Sequence, residues 1–286
     1  MSALVSLGNA GTALDAGSLL EKEEKLFRIL RDLGQVIVAY SGGTDSAYLA
    51  WAATRALGVN AVAITADSAS MPESHKRDAE DFARRYGLRH EYIKTNEFDN
   101  PVYAANNPDR CFHCKDELFG CLEQVGRQRG IPNIIYGVNV DDLGDYRPGQ
   151  NAASKHDVKA PLVEAGLRKA EIRELSKRAG LPTWDRPASA CLSSRIPYGT
   201  PVTIETVKTV ERGEDAMKAL GFRQFRVRFH GDLVRLEVAP EEMDKALTTE
   251  MARKFTTVFK DLGFNYVTLD LQGYRTGSFN ERLKKK

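Results

Sequence analysis

The run Val36-Ile37-Val38-Ala39-Tyr40, followed at once by Ser41-Gly42-Gly43-Thr44-Asp45-Ser46, constrains this chain more than any other segment. Five apolar, mostly β-branched residues predict a strand buried on both faces, and the residues from Ala47 to Leu57 predict a helix. A strand that turns through two glycines into a helix lets backbone N–H groups converge on an anion with no Cβ in the way. The positive N-terminal end of the helix points to the same spot. Ser41 and Ser46 add hydroxyl donors, so the turn is suited to the pyrophosphate half of ATP. It lacks the Gly-Lys-Ser/Thr ending that would hold a transferring γ-phosphate. Asp45 stands where that lysine would be expected, and a carboxylate beside phosphates calls for Mg²⁺ between them, which makes Asp45 a candidate metal contact. An ordinary glycine-rich turn is the plainer alternative.

Further strands are predicted at 61–65, 90–93 and 134–137, and helices at 19–33, 72–86, 115–129 and 169–179. This alternation predicts an α/β domain with a parallel sheet covered on both faces, whose ligands bind beyond the C-terminal strand ends. The Ser41 loop, Asp67 and Gly137 all lie at such ends. The irregular, proline-bearing stretch from 182 to 201 marks a boundary. Beyond it, a helix at 204–220, strands at 225–229 and 233–238, a helix at 240–262 and a strand at 266–271 predict a small α+β domain. The expected division is 1–18 without stable structure, 19–200 for the nucleotide domain, and 201–286 for a domain binding substrate or joining subunits. With 41 basic against 39 acidic residues the net charge is +2, so no global field favours nucleic acid. No apolar run is long enough for a membrane span and no signal peptide is expected, which makes a cytoplasmic location the expectation.

In a reducing compartment the cysteines at 111, 114, 121 and 191 point to metal, redox or packing roles rather than disulfides. Cys111-Phe112-His113-Cys114 is expected to precede a helix whose N-terminus favours thiolates. A closed zinc site would need four ligands, drawing on His113, Cys121 or Cys191. Cys121 falls almost two turns along the helix and reads as a core residue. Cys191 sits in the polar, cationic setting Ala190-Cys191-Leu192-Ser193-Ser194-Arg195. If its segment folds back over the ATP site, thiolates 111, 114 and 191 suit a [4Fe–4S] cluster with one iron left for sulfide. Zinc, a dithiol and simple packing stay open as alternatives.

The Ser41–Ser46 loop resembles that of the N-type ATP pyrophosphatases, the PP-loop superfamily. Together with Asn107–Lys115, Gly137–Asn139, Asp141–Gly149 and Ala190–Gly199, it resembles the LarE family of ATP-dependent sulfur transferases, over roughly residues 20 to 280. The resemblance implies a Rossmann-like fold of the adenine nucleotide α-hydrolase type and the substrate of nickel-pincer nucleotide biosynthesis. That substrate is a pyridinium mononucleotide with two carboxylates, each adenylated and converted to a thiocarboxylate. In some members the position matching Cys191 yields its own sulfur; with Cys111 and Cys114 beside Cys191, the resemblance implies the other kind, whose three cysteines bind a [4Fe–4S] cluster that relays sulfide from a donor. A homo-oligomer is implied too.

Adenylation makes a carboxylate attackable by sulfur, which accounts for a pyrophosphate-binding loop. Ser41, Gly42, Gly43 and Ser46 are assigned to the pyrophosphate, Asp45 to Mg²⁺, and Asp67 to the nucleoside, with a turn cap as its alternative. Gly137 joins the ATP site. Lys169 and Arg168 suit phosphate charge or a solvated face, and Arg147, among aspartates, suits the active site. Arg226 and Arg228 alternate on one strand face, a spacing suited to gripping one phosphate. Arg275, Arg195 and Ser194 are expected to complete that seat, as the resemblance supports; an exposed basic face is the alternative. Glu214 and Glu237 are weaker candidates for a metal or pyridinium contact. The competing functions are tRNA thiolation on the same fold, amidation by ammonia, and a non-catalytic adenine-nucleotide sensor. The first needs a wide basic surface and the second a glutaminase-like segment.

Overall fold

The structure, a computed structural model, describes residues 16–144, 148–187 and 190–275. Helix α1 (Ala16–Leu33) leads into β1 (Val36–Ala39), α2 (Thr44–Leu57), β2 (Ala61–Asp67), α3 (Glu73–Tyr86) and β3 (His90–Lys94). A short α4 (Pro101–Ala104) and the long α5 (Arg110–Arg129) then precede β4 (Asn133–Tyr136). Helices α6 (Pro148–Lys155), α7 (Pro161–Glu164) and α8 (Lys169–Arg178) follow. The four strands form a parallel sheet in the order β3-β2-β1-β4, with Val36 level with both Ala61 and Asn133. The chain steps outward from β1 to β3 and then crosses to the other side of β1. That reversal opens a crevice at the C-terminal ends of β1 and β4, where open α/β sheets bind ligands.

Every residue of β1 is buried, as a strand covered on both faces requires. Leu19, Leu26 and Leu30 of α1, the alanine-rich face of α2, and Ile172 and Leu175 of α8 cover one face. Phe119 and Leu122 of α5, with Ala152 and Ala153 of α6, cover the other.

Helix α9 (Ile204–Ala219) opens the C-terminal region. It is followed by β5 (Phe225–His230), β6 (Leu233–Val238), α10 (Met243–Ala246), α11 (Thr249–Asp261) and β7 (Tyr266–Leu269). Strands β5 and β6 pair antiparallel and β6 and β7 parallel, making a second, smaller sheet. Its core is aromatic, with Phe222, Phe225, Phe255, Phe259 and Phe264 buried together.

Three elements differ from the sequence expectation. The first helix begins at Ala16, inside the segment expected to lack structure. The single helix expected over 240–262 is broken, because Thr248 caps a new one by accepting a hydrogen bond from Met251 N (3.2 Å). Helix α5 starts at Arg110 rather than at 115, so Cys111 falls in its first turn and Cys114 at the start of its second instead of preceding it. The buried Arg110 guanidinium binds Asn106 Oδ1 (2.6 Å) one turn earlier and holds that start in place. Among the described residues, no helix is long and apolar enough to cross a membrane.

Candidate functional site: a phosphate loop and a cysteine loop

The Ser41–Ser46 loop caps the crevice end of β1 and is closed by its own hydroxyls. Ser46 Oγ accepts from Ser41 N (3.2 Å), meets Ser41 Oγ (3.0 Å) and donates to Gly43 O (3.1 Å). Gly42 has φ +72°, the left-handed region glycine enters without strain. The residues thus present an anion-sized turn at the start of α2.

Asp45 is buried beside it. Its Oδ2 accepts from Lys169 Nζ (2.6 Å) and Asn139 Nδ2 (3.4 Å), while its buried Oδ1 has no protein partner among the described residues. Burial raises its pKa, and Lys169 opposes the rise. A buried carboxylate oxygen without a partner fits the role of a magnesium ligand. Lys169, expected at phosphate, is instead paired with that carboxylate. Arg168 pairs with Asp141 (2.8 Å) on the surface, and Asp67 with Lys76 (2.6 Å) at the end of β2. Arg147 lies outside the described residues.

Gly137 serves packing. A Cβ there would stand 2.6 Å from Ser46 N and 2.8 Å from Ser46 Cα, both backbone atoms that cannot yield without moving the phosphate loop. Gly137→Ala is therefore expected to destabilise the fold by about 1–3 kcal/mol, as overpacking does, and to weaken Mg·ATP binding. Denaturant unfolding beside nucleotide titration checks this, and wild-type values in both would remove the packing role.

The second loop, around Cys191, docks where β2 ends, with Leu192 N donating to Ser70 O (2.8 Å). Arg110 donates to Ser193 O (2.7 Å), Tyr103 Oη meets Ser193 Oγ (2.8 Å), and Asn106 Nδ2 donates to Pro197 O and Thr200 O (2.8 Å each). These contacts seat the Cys191 loop against the start of α5. The three thiols expected together are within electrostatic reach of one another. Burial raises the Cys111 and Cys114 pKa values, and a Cys191 thiolate raises both further. Cys111 is nonetheless exposed, a combination that describes a recess open to water. Arg110 and Lys115 offset charge on this thiol group. Lys115 also stands over the Phe119 and Tyr136 rings, 5.4 and 5.9 Å from their centroids. Cys121 lies apart, half-buried near Glu117. Thiol donors beside compensating cations fit the chemistry of an iron–sulfur or zinc site. Among the described residues, however, no three His, Cys, Asp or Glu side chains converge as a formed metal-binding group.

A cavity of about 370 Å³ adjoins the cysteine loop, and Arg186 links its wall to the phosphate loop. Its wall includes Arg186, whose guanidinium reaches Gly42 O (2.7 Å), and Leu192 and Arg195 from the cysteine loop. Glu214 of α9 and Arg226 of β5 complete it from the C-terminal region. Arg195, 1% exposed, binds Glu214 through two parallel contacts (2.7 and 3.0 Å) and donates to Ala190 O, Cys191 O and Ser194 Oγ. Its guanidinium thus holds the cysteine loop as well as facing the cavity. Arg226 lies over the Tyr274 ring (4.7 Å), and burial and then the charge of Arg195 lower its pKa. The charged wall is mixed, with Arg186, Arg195, Lys218, Arg223 and Arg226 against Asp78, Glu211, Glu214 and Asp215.

Arg228, Glu237, Ser194 and Arg275 do not line this cavity. Arg228 and Arg235 both pair with the fully buried Glu237 (2.8 and 2.9 Å) on the same sheet face as Arg226, and Arg228 donates to Ser194 O (3.1 Å). A larger concavity of about 450 Å³ near Gly130, Pro132 and His156 adjoins the opposite end of β4 and contains none of the expected residues.

Sequence reading missed Arg186, Asn139, Asn106 and His75. Burial, then Arg186 and Lys218, push the His75 pKa down to about 4, so the cavity holds a neutral imidazole at neutral pH. Asn139 stands in the Gly137–Asn139 segment of the resemblance without a role assigned to it; the other three carry no local pattern, and only the fold brings them to the site.

No family model matches the chain. It is 43% identical over 267 residues to an uncharacterised protein of Synechocystis, covering 93% of this chain and all of that one. It is 32% identical over 269 residues to the pyridinium-3,5-bisthiocarboxylic acid mononucleotide synthase of Lactiplantibacillus plantarum, covering 94% of this chain and 97% of the relative. A tRNA-specific 2-thiouridylase of Leptospira biflexa is 27% identical over 199 residues, covering 56% of this chain and 52% of its own. The near full-length match to the synthase, on a parallel sheet whose first strand ends in the Ser-Gly-Gly-Thr-Asp-Ser loop, shows that the chain belongs to the LarE family of the PP-loop superfamily.

Proposed function

We propose that this chain is an ATP-dependent sulfur transferase. It adenylates the carboxylates of a pyridinium dicarboxylate mononucleotide and converts them to thiocarboxylates for the nickel-pincer nucleotide. The reading is carried by one observation: Arg186, which donates to Gly42 O of the phosphate loop, and Arg195, which donates to Cys191 O, line the same cavity. A carboxylate oxygen of the substrate attacks the α-phosphorus of ATP, and the bond to pyrophosphate breaks. Ser41, Gly42, Gly43 and Ser46 receive the departing pyrophosphate, and Asp45 would hold Mg²⁺, which neutralises its charge. Attack of sulfur on the mixed anhydride then expels AMP, and the thiocarboxylic acid loses its proton to solvent.

Cys111, Cys114 and Cys191 would hold a [4Fe–4S] cluster, which when bound supplies sulfide at an iron free of protein thiolate. In the other route the Cys191 thiolate expels AMP to form a thioester, and loss of its α-proton with cleavage of its Cβ–S bond releases the thiocarboxylate and leaves dehydroalanine. Arg226 and Arg195, with Arg228, Ser194 and Arg275 behind them, are the basis for substrate phosphate binding. Glu214 and Glu237 orient these arginines. A cytoplasmic homo-oligomer fed by a sulfide donor completes the proposal.

The test is anaerobic incubation of the reconstituted protein with Mg·ATP, sulfide and the pyridinium dicarboxylate mononucleotide. Stoichiometric pyrophosphate, AMP and a thiocarboxylate are expected. Absence of pyrophosphate release in the presence of that substrate would overturn the reading, and tight AMP binding without turnover would indicate a nucleotide sensor.

A further inference from the structure

Arg186 belongs to no motif, yet it touches both halves of the site. Its backbone is fixed before its side chain does anything: Arg186 N donates to Thr183 O (3.2 Å), and Arg173 of α8 donates to Arg186 O (2.7 Å). The same segment grips the phosphate loop a second time, because the buried Thr44 Oγ1 donates to Thr183 O (2.8 Å). From this anchored position the guanidinium donates through Nη1 to Gly42 O (2.7 Å) and through Nη2 to Asp78 of α3. Arg186 also lines the 370 Å³ cavity.

The bond to Gly42 O has a geometric consequence. In a planar trans peptide the carbonyl of one residue and the N–H of the next point in opposite directions. Holding the Gly42 carbonyl toward Arg186 therefore turns the Gly43 N–H away from it, into the turn that receives the anion. A glycine pair has the widest choice of conformations of any dipeptide, so this orientation needs an external hold.

We propose that Arg186 is a positioning residue that locks the Gly42–Gly43 peptide with its N–H toward the pyrophosphate and joins the phosphate loop to the substrate cavity. The proposal rests on the reading of this loop as the ATP site. Its planar, two-ended guanidinium reaches Gly42 O and Asp78 at once, which the single ammonium of a lysine does less well.

The experiment is calorimetric titration of inorganic pyrophosphate, Mg·ATP and AMP into the full-length wild type, Arg186→Lys and Arg186→Gln, with unfolding midpoints measured alongside. Arg186→Gln is expected to weaken pyrophosphate and Mg·ATP binding by on the order of tenfold to a hundredfold, the scale of a lost charge-assisted hydrogen bond. AMP affinity should stay within about twofold, since AMP lacks the group that the loop receives. Arg186→Lys should fall between, and millimolar guanidinium should restore part of the loss in Arg186→Gln. Unchanged pyrophosphate affinity in both variants would overturn the proposal while leaving the ATP reading intact. So would an equal loss of AMP and pyrophosphate affinity, which signals general disruption. A wild type that binds neither pyrophosphate nor Mg·ATP would overturn both. Should Arg186→Gln fail to fold, Arg186→Lys alone decides by the same comparison.

Discussion

Cys191→Ala is expected to lose thiocarboxylate formation by at least about 10³-fold, the scale seen when a reacting nucleophile is removed, while still releasing pyrophosphate on first contact with substrate and Mg·ATP. The two steps separate because they draw on different groups. Adenylation uses the Ser41–Ser46 loop and Asp45, whose hydrogen bonds run to one another, Lys169, Asn139 and Arg186. The position of Cys191 is set by its backbone: its carbonyl accepts from Ser194 N (3.0 Å), Ser194 Oγ (2.7 Å) and Arg195 Nη1 (3.1 Å). Alanine keeps all three contacts, so the loop should stay in place without its sulfur. Mass analysis of the product and a pyrophosphate burst assay read the two steps separately. Wild-type thiocarboxylate yield in this variant would remove Cys191 from sulfur delivery, and a vanished burst would show that the loop had moved. Iron and acid-labile sulfide should fall in Cys191→Ala and in Cys111→Ala alike if both thiols serve one cluster.

The strand and loop at 36–46 were legible because burial on both faces, a glycine pair and a following helix are local signals that tertiary context seldom reverses. The same holds for Gly87, which ends α3 at φ +69°. Local pattern failed where a distant partner decides. Nothing in residues 110–114 announces a helix, and the turn forms around a buried arginine whose acceptors are Asn106 Oδ1 and the carbonyl of Ser193. In 240–262 the apolar spacing suggested one continuous helix, and the Thr248 cap outweighed it. At the site the pattern found charged residues but not their pairing. Arg226 and Arg228 do alternate on β5, yet Arg228 pairs with Glu237 while Arg226 reaches the cavity. Lys169 was open between phosphate charge and a solvated face, and its pairing with Asp45 was not legible because it joins residues 124 apart in sequence.

Glu214→Ala should destabilise the protein by about 3–5 kcal/mol, the cost of leaving a buried charge unpaired. Arg195 is 1% exposed, and Glu214 is the carboxylate that meets its Nε and Nη2. Water cannot replace that carboxylate at so buried a position, and the other contacts of the guanidinium are neutral oxygens. Glu214 Oε1 also accepts from Val227 N (3.4 Å), which ties α9 to the central part of β5. The double variant Arg195→Met, Glu214→Leu removes both charges and fills their volume, so it should recover most of the lost stability. It should not recover sulfur transfer, because no methionine can donate to the Cys191 carbonyl as Arg195 does. Denaturant unfolding of wild type, single and double variants, read beside thiocarboxylate yield, separates the two roles of this pair. A single variant within 1 kcal/mol of wild type would show that solvent or a neighbouring carboxylate reaches Arg195. A double variant that is both stable and fully active would show that the arginine holds the fold together and has no part in presenting the cysteine.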